Sequence, residues 1–390
     1  MKKEYLFTPG PTPVPFQALE VMGKPIFHHR TKQYRDMFKE VTGLMQQVFQ
    51  TRNDVLTFTS SGSGAMEASV VNLLSPGDTV ITINGGKFGE RWTKICEAYG
   101  IITEEIMLEW GTSVDPEKIK DILSRKPYIK AVFTQLCETS TGVKMDIRSI
   151  AEIVKNYDAL LVVDAVSGLG ADDLKTDEWG VDVVVSGSQK GLMIPPGLSF
   201  VSMSQKAWHF SEKSQLPKFY FSFKKAKKSL ETFDNPWTPA LTLIRALQQT
   251  LSMMVSEGIG TVISRHARLA KAARAGVAAL GLSLFAPQSP SNAVTAVKVP
   301  EGIDGALLVK KFKNEFGITV AGGQAQVKGK IFRIAHLGYF DDFDIVIVLS
   351  ALERILIDLG YRIDPGTALA NAQKVFLEEK DTKLQEANTR

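Results

Sequence analysis

Lysine and aspartate do the chemistry of amines and carboxylates when a fold brings them together, and two such residues stand in telling settings here. Lys190 ends the segment Ser186-Gly187-Ser188-Gln189-Lys190, which completes the apolar run DVVVSGS (182–188). Asp164 closes an earlier apolar run, ALLVVDA (159–165). Short runs of this kind read as buried parallel strands. Both polar ends would then emerge at the carboxyl edge of one sheet, where α/β proteins build their sites. A lysine and an aspartate delivered there suit pyridoxal 5'-phosphate (PLP). The amine forms a Schiff base with the aldehyde, and the carboxylate pairs with the pyridinium nitrogen. Taken alone, the two residues read equally well as a surface lysine and a helix-capping aspartate, because short motifs match by chance.

Other strand ends add weight. The strand VLTFTS (55–60) runs into Ser61-Gly62-Ser63-Gly64 and then the helical pattern AMEASVVNLL. A strand leading through small residues onto a helix start offers free N–H groups, hydroxyls and the positive end of a dipole to an anion. Glu67 stands where a dinucleotide fingerprint needs its third glycine, and no Walker lysine follows. Asn84-Gly85-Gly86-Lys87-Phe88-Gly89-Glu90-Arg91 follows the next strand and offers Phe88 to stack on a planar ring. Cys137-Glu138-Thr139-Ser140-Thr141-Gly142 brings hydroxyls after a third strand. Any one of these loops is also an ordinary β–α turn; their ordered recurrence is the signal.

These residues need a frame to hold them. Strand candidates at 55–60, 79–84, 129–135, 159–165, 182–188 and 198–204 alternate with helical spacing in GAMEASVVNLL and MDIRSIAEIVKNY. That rhythm predicts an α/β fold with a mostly parallel sheet and helices on both faces. Residues 1–20 carry prolines at 9, 11, 13 and 15 and read as an extended arm. A large domain is expected over 21–255 and a smaller α+β domain over 256–363, with a polar tail over 364–390 that reads as a frayed helix or loose end.

Composition narrows the class. A chain of 390 residues is long for one core, and 44% hydrophobic with 23% charged residues suits a globular protein. A net charge of +4 is too small to argue for nucleic acid by itself. The basic-aromatic stretch LPKFYFSFKKAKKS (216–229) is better read as a solvated loop near a pocket mouth. Cys96 and Cys137 are the only cysteines, so no disulfide framework is expected and a reduced, cytoplasmic setting fits. The start MKKEYLFTPGPTPVP lacks the apolar core of a secretory signal, and no run reaches membrane-spanning length. His28 and His29 are adjacent but lack a nearby acidic pair, so no metal site is expected; His28-His29-Arg30-Thr31 reads as interface or pocket wall.

With these residues assembled, the chain resembles the class V aminotransferases of the serine–pyruvate and alanine–glyoxylate type, within PLP fold type I. The segment SGSQK and the upstream VDAVSG carry the resemblance, which extends over about residues 4–360. It implies a seven-stranded, mostly parallel sheet and PLP bound covalently to Lys190. By the same resemblance Asp164 meets the ring nitrogen, Phe88 stacks on the ring and Thr139 lies beside the ring hydroxyl. Ser61, Gly62, Ser63 and Gln189 fall at phosphate positions. Asn235 and Thr238 match a segment that reaches the neighbouring subunit's phosphate, which implies a homodimer with shared sites. Arg333 matches the clamp for the substrate α-carboxylate, a task suited to the guanidinium fork. Gly10 matches the arm whose backbone lines the substrate pocket. Two departures stand out: Phe88 where many relatives carry tryptophan, and Asn235 where some carry tyrosine.

The implied activity is ping-pong transamination from a small amino acid, alanine or serine, to a 2-oxo acid such as glyoxylate or pyruvate. A dicarboxylate donor such as aspartate would need a second cation, for which Arg30 and Lys87 are candidates. The alternatives are an aspartate or other amino-donor transaminase of the same family, or a non-catalytic homologue acting as a subunit of a larger complex. A cysteine desulfurase of the same fold would need a mobile, reactive cysteine, whereas Cys96 sits in a helical pattern and Cys137 at a strand end.

Overall fold

The computed structural model describes residues 2–388, with side chains described through Glu378. Thirteen strands follow one another along the chain: β1 (Tyr5–Phe7), β2 (Val55–Phe58), β3 (Thr79–Asn84), β4 (Ile102–Met107), β5 (Ala131–Gln135), β6 (Cys137–Glu138), β7 (Val143–Lys144), β8 (Leu160–Asp164), β9 (Val183–Gly187), β10 (Ser199–Met203), β11 (Val294–Lys298), β12 (Ile318–Gly322) and β13 (Ile331–Ala335). Seven of them form the main sheet in the order β2-β10-β9-β8-β5-β3-β4. Only β10 runs against its neighbours, so the sheet is mostly parallel, as expected.

The central strands are apolar throughout because helices cover both faces, the rule for parallel sheets. Every residue of β5, β8 and β9 is buried. Edge strand β4 escapes an apolar-run search for the same physical reason in reverse. Its sequence ITEEIM carries two glutamates, and Ile102 and Met107 stay 55% and 62% exposed.

A second sheet, β1-β12-β13-β11, belongs to the smaller unit. Its core gathers Leu269, Ala273 and Val277 from the helix Ile259–Ala279 with Val348, Leu352 and Ile355 from the helix Asp342–Asp358. Asp341 starts the latter helix with a capping box to Asp344. Two boundaries differ from the sequence reading. The arm begins with β1, which pairs parallel to β12, so its first residues complete the small sheet, and a helix already starts at Phe16. The tail forms the helix Thr367–Asn388, and Ala368, Ala372 and Val375 are buried in the small core. Alanines placed four apart let that helix approach closely, a pattern that a count of polar residues hides. The 216–229 stretch is likewise no simple loop: Phe223–Leu230 is a helix with Phe223 fully buried, and Lys225 lies over the rings of Phe219 and Trp237.

Candidate active site

The carboxyl edge of the main sheet positions the predicted residues. In register, Asp164 stands opposite Gln135 of β5 and Val185 of β9. Asp164 Oδ1 accepts from Val166 N at 2.8 Å, and among the described residues the other carboxylate oxygen accepts nothing. Burial pushes this carboxyl up to about 6, against the pull of the Val166 N–H, Arg91 and Lys190.

Lys190 lies in the turn between antiparallel β9 and β10. Ser188 ties that turn shut: its N–H donates to Leu198 O at 3.0 Å, and its hydroxyl donates to Pro195 O and accepts from Leu198 N. The Lys190 side chain is buried, and burial pulls its amine down to about 8 while Asp164 and Cys137 pull it up. Its Nζ donates to the Pro9 carbonyl. The arm is pinned beside it, with Thr12 N donating to Gln189 O at 3.2 Å and Thr12 Oγ1 donating to Lys190 O at 2.9 Å. Gly10, at φ +114, has no room for a side chain: a Cβ there would lie 2.4 Å from Lys190 Cδ and Cε. Gly10 thus stands against the lysine.

Two helices start at this edge. The helix Gly62–Leu73 has Ser61 as N-cap without a side-chain hydrogen bond, so the N–H groups of Gly62 and Ser63 have no partner within their own helix. The helix Lys87–Ala98 carries Phe88 in its first turn. Arg91, which the sequence reading left without a role, connects the two. Its Nη1 donates to Ser63 Oγ at 3.1 Å, and its guanidinium lies 4.8 Å from the centre of the Phe88 ring. Gln189 Oε1 is buried without a partner among the described residues.

Thr139 sits in the turn joining β6 and β7. Its hydroxyl donates to Ser167 Oγ at 2.6 Å, and its carbonyl accepts from Arg333 Nη1 at 2.9 Å. Arg333 projects from β13 of the small sheet, donating also to Gly322 O from Nε and Nη2 at 3.2 and 2.7 Å. It is 4% exposed, and burial lowers it to about 10. The junction that brings β13 here is polar and buried. Asp172 accepts from Ser291 Oγ and Asn292 N, and Asn292 O accepts from His336 Nδ1. Burial and Arg274 lower His336 to about 3, so its neutral ring accepts the Thr295 hydroxyl at Nε2.

The remaining candidates lie apart. Asn235 is buried beyond β2, where its side-chain oxygen accepts from the Tyr34 hydroxyl and its carbonyl from Arg30 at 2.9 Å. Thr238 is exposed in the same segment, which reaches β2 where Ala240 N donates to Thr59 Oγ1. Neither meets Lys190 within this chain among the described contacts. The two candidate second cations are engaged: Lys87 with Glu90, and Arg30 with Asp234 at 2.7 Å. Cys96 and Cys137 are free and buried; burial pushes Cys96 up to about 12 and Cys137 higher still. Such thiols stay protonated at neutral pH, unlike a nucleophilic cysteine. Among the described residues no group of three or more His, Cys, Asp and Glu could hold a metal ion, and no helix is long and apolar enough to cross a membrane.

Sequence reasoning missed Glu138, Arg91 and Ser167. Glu138 lay inside the segment quoted for its hydroxyls, but a glutamate among serines and threonines after a strand carries no mark of burial.

The chain is 45% identical over 96% of its length to a protein named soluble hydrogenase, small subunit, from a Synechococcus species, covering 98% of that protein. It is 38% identical to a serine–glyoxylate aminotransferase from Hyphomicrobium methylovorum, over 95% of this chain and 94% of the relative. It is 35% identical to an L-aspartate–glyoxylate aminotransferase from Paracoccus denitrificans, over 95% and 96%. Among solved structures, ureidoglycine–glyoxylate aminotransferase from Bacillus subtilis superposes with a TM-score of 0.92 at 29% identity, over 96% of this chain and 98% of that one. Residues 4–337 match the family model described as aminotransferase class-V, and the chain belongs to that family.

Proposed function

We propose that the protein is a PLP-dependent aminotransferase that moves the amino group of a small monocarboxylic amino acid, serine or alanine, to a 2-oxo acid such as glyoxylate or pyruvate. The observation that carries this is a buried Lys190 amine against the arm at Pro9 and Gly10, with Asp164 on the neighbouring strand and Arg333 reaching Thr139. The residues fit the cofactor: the open helix start at Gly62 and Ser63 and the half-bonded Asp164 carboxylate are groups awaiting polar partners. When bound, PLP supplies an electrophilic carbonyl carbon and an electron-accepting ring.

The chain's own residues do the rest. Asp164, raised to about 6 by burial, gains a cationic partner in a protonated ring nitrogen and stays ionised beside it. Lys190, lowered to about 8, holds a useful fraction of neutral amine near neutral pH, which suits it to attach the cofactor and later to carry the substrate's α-proton. Ser61, Gly62, Ser63 and Gln189 would hold the phosphate, with Phe88 and Thr139 beside the ring. Arg333 has two carbonyl partners and no carboxylate among the described residues, so a substrate carboxylate completes its charge balance. With Lys87 and Arg30 each already paired to a carboxylate, the pocket favours one carboxylate over two. By the family resemblance, the segment with Asn235 and Thr238 would serve the partner's phosphate in a homodimer.

The names of the hydrogenase relatives favour a second reading, in which the chain serves as a subunit of a complex. Both are tested by adding PLP to the purified protein, then single amino acids. Visible absorbance that changes with serine or alanine, and is lost in Lys190→Ala, is the expected result. No cofactor absorbance at any PLP concentration would favour the subunit reading. Arg333→Ala should raise KM by roughly 10- to 100-fold, as expected for a lost hydrogen-bonded charge; unchanged KM would remove it as the clamp.

A further inference from the structure

The most buried ionisable group at this edge has no part in the reaction described above. Glu138 is fully buried. Its carboxylate accepts from Phe88 N at 3.1 Å, Gly89 N at 2.9 Å, Ser140 N at 3.2 Å and Gln135 Nε2 at 3.3 Å, and from the Ser140 hydroxyl. The Ser140 oxygen in turn accepts from Lys87 N at 3.0 Å. The first three N–H groups of the helix Lys87–Ala98 therefore end on one carboxylate and the hydroxyl it orders. Burial raises this carboxyl, while the hydrogen bonds from Ser140, Gly89 and Phe88 oppose the rise. The N–H groups of Phe88, Gly89 and Ser140 can only donate, and between them they reach both carboxylate oxygens, which suits the ionised form.

Packing allows this helix start little freedom. A Cβ at Gly86 would lie 2.4 Å from Ser140 Oγ and 2.5 Å from Glu138 Cδ, and one at Gly89 would lie 2.3 Å from Ile83 O. The turn so clamped carries Phe88, and one residue beyond Glu90 it carries Arg91, bonded to Ser63 of the open helix. Glu138 also precedes Thr139, whose carbonyl holds Arg333, and its charge acts on both Arg333 and Asp164.

We infer that Glu138 is a positioning residue: by clamping the first turn of the helix Lys87–Ala98 it sets the plane of the Phe88 ring and the reach of Arg91 to the phosphate-binding helix. A carboxylate held by five donors has one geometry, whereas an aromatic side chain on an uncapped first turn would sample several. The inference rests on the PLP reading, because the ring that Phe88 faces is that of the cofactor.

The test compares apoenzyme variants titrated with PLP, followed by the visible circular dichroism of the bound cofactor. Glu138→Gln keeps shape but turns an amide donor toward donors. It should raise the PLP dissociation constant at least 10-fold, weaken the visible dichroic band and lower kcat more than it raises the amino-acid KM. Ser140→Ala leaves the carboxylate in place but removes its hydroxyl donor and the link to Lys87 N, so it should show the same changes at smaller size. It serves in place of Glu138→Gln should that variant not fold. A folded variant with wild-type PLP affinity and an unchanged dichroic band overturns the positioning role. Wild-type protein that binds no PLP overturns the cofactor reading instead, so the two failures are distinct.

Discussion

Two helices begin side by side at the carboxyl edge of the sheet, and they solve the same problem in opposite ways. Any helix start leaves N–H groups without partners. The helix Lys87–Ala98 receives its partners from inside the protein, through Glu138 and Ser140. The helix Gly62–Leu73 receives no side-chain cap, and its Ser61 is exposed. A closed start is architecture and carries a side chain to a fixed place. An open start on small residues keeps its dipole and donors for an anion. The difference separates what holds the site from what binds in it, though both starts follow strands of the same sheet.

That contrast can be broken directly. Inorganic phosphate should raise the melting temperature of the apoenzyme; at one hundred times its dissociation constant a ligand stabilises by about 2.7 kcal/mol. Gly62→Ala should abolish most of this protection, because a Cβ there would lie 2.6 Å from Val166 Cγ2 and displace the open turn. Ser140→Ala should lower the starting temperature yet keep the phosphate increment. Equal loss of the increment in both variants would erase the distinction.

A smaller effect lies in pH. Because burial lowers Lys190 to about 8, its neutral amine gains population as pH rises through that value. The rate of PLP capture by the apoenzyme should rise with a midpoint near 8. Asp164 draws the lysine upward, so in Asp164→Asn the midpoint should move to lower pH. A midpoint near the ordinary lysine value of about 10.5 would show that the amine is not buried at rest. The smallest effect belongs to a cap far from the site. Asp115 accepts from Glu117 N at 3.1 Å at the start of the helix Pro116–Arg125. Asp115→Ala should cost about 1 kcal/mol in denaturant unfolding, leaving turnover and PLP affinity alone.

Much of this arrangement was legible before folding. β8 and β9 announced themselves because strands buried on both faces must be apolar along their whole length, and the change to Asp164 and Ser186–Lys190 marks where they meet the site. Strand β4 did not, because an edge strand tolerates Glu104 and Glu105. The tail reads from sequence as a frayed helix or loose end because its buried stripe is made of small residues, Ala368 and Ala372, which weigh little in a hydrophobicity count. Glu138 and Arg91 stood in the segments quoted for other reasons. Their roles depend on which loops become neighbours, and sequence spacing does not record that.

The chain by itself determined the alternation of strands and helices, the lysine and aspartate at two strand ends, and the small residues at one helix start. These are local consequences of apolar periodicity and side-chain chemistry. Only the tertiary structure decided that the arm closes over Lys190, that Arg333 crosses from the small sheet to Thr139, and that one helix start is sealed while its neighbour stays open. The physical reason is that each of these joins residues far apart in the chain, through buried hydrogen bonds whose partners are set by packing.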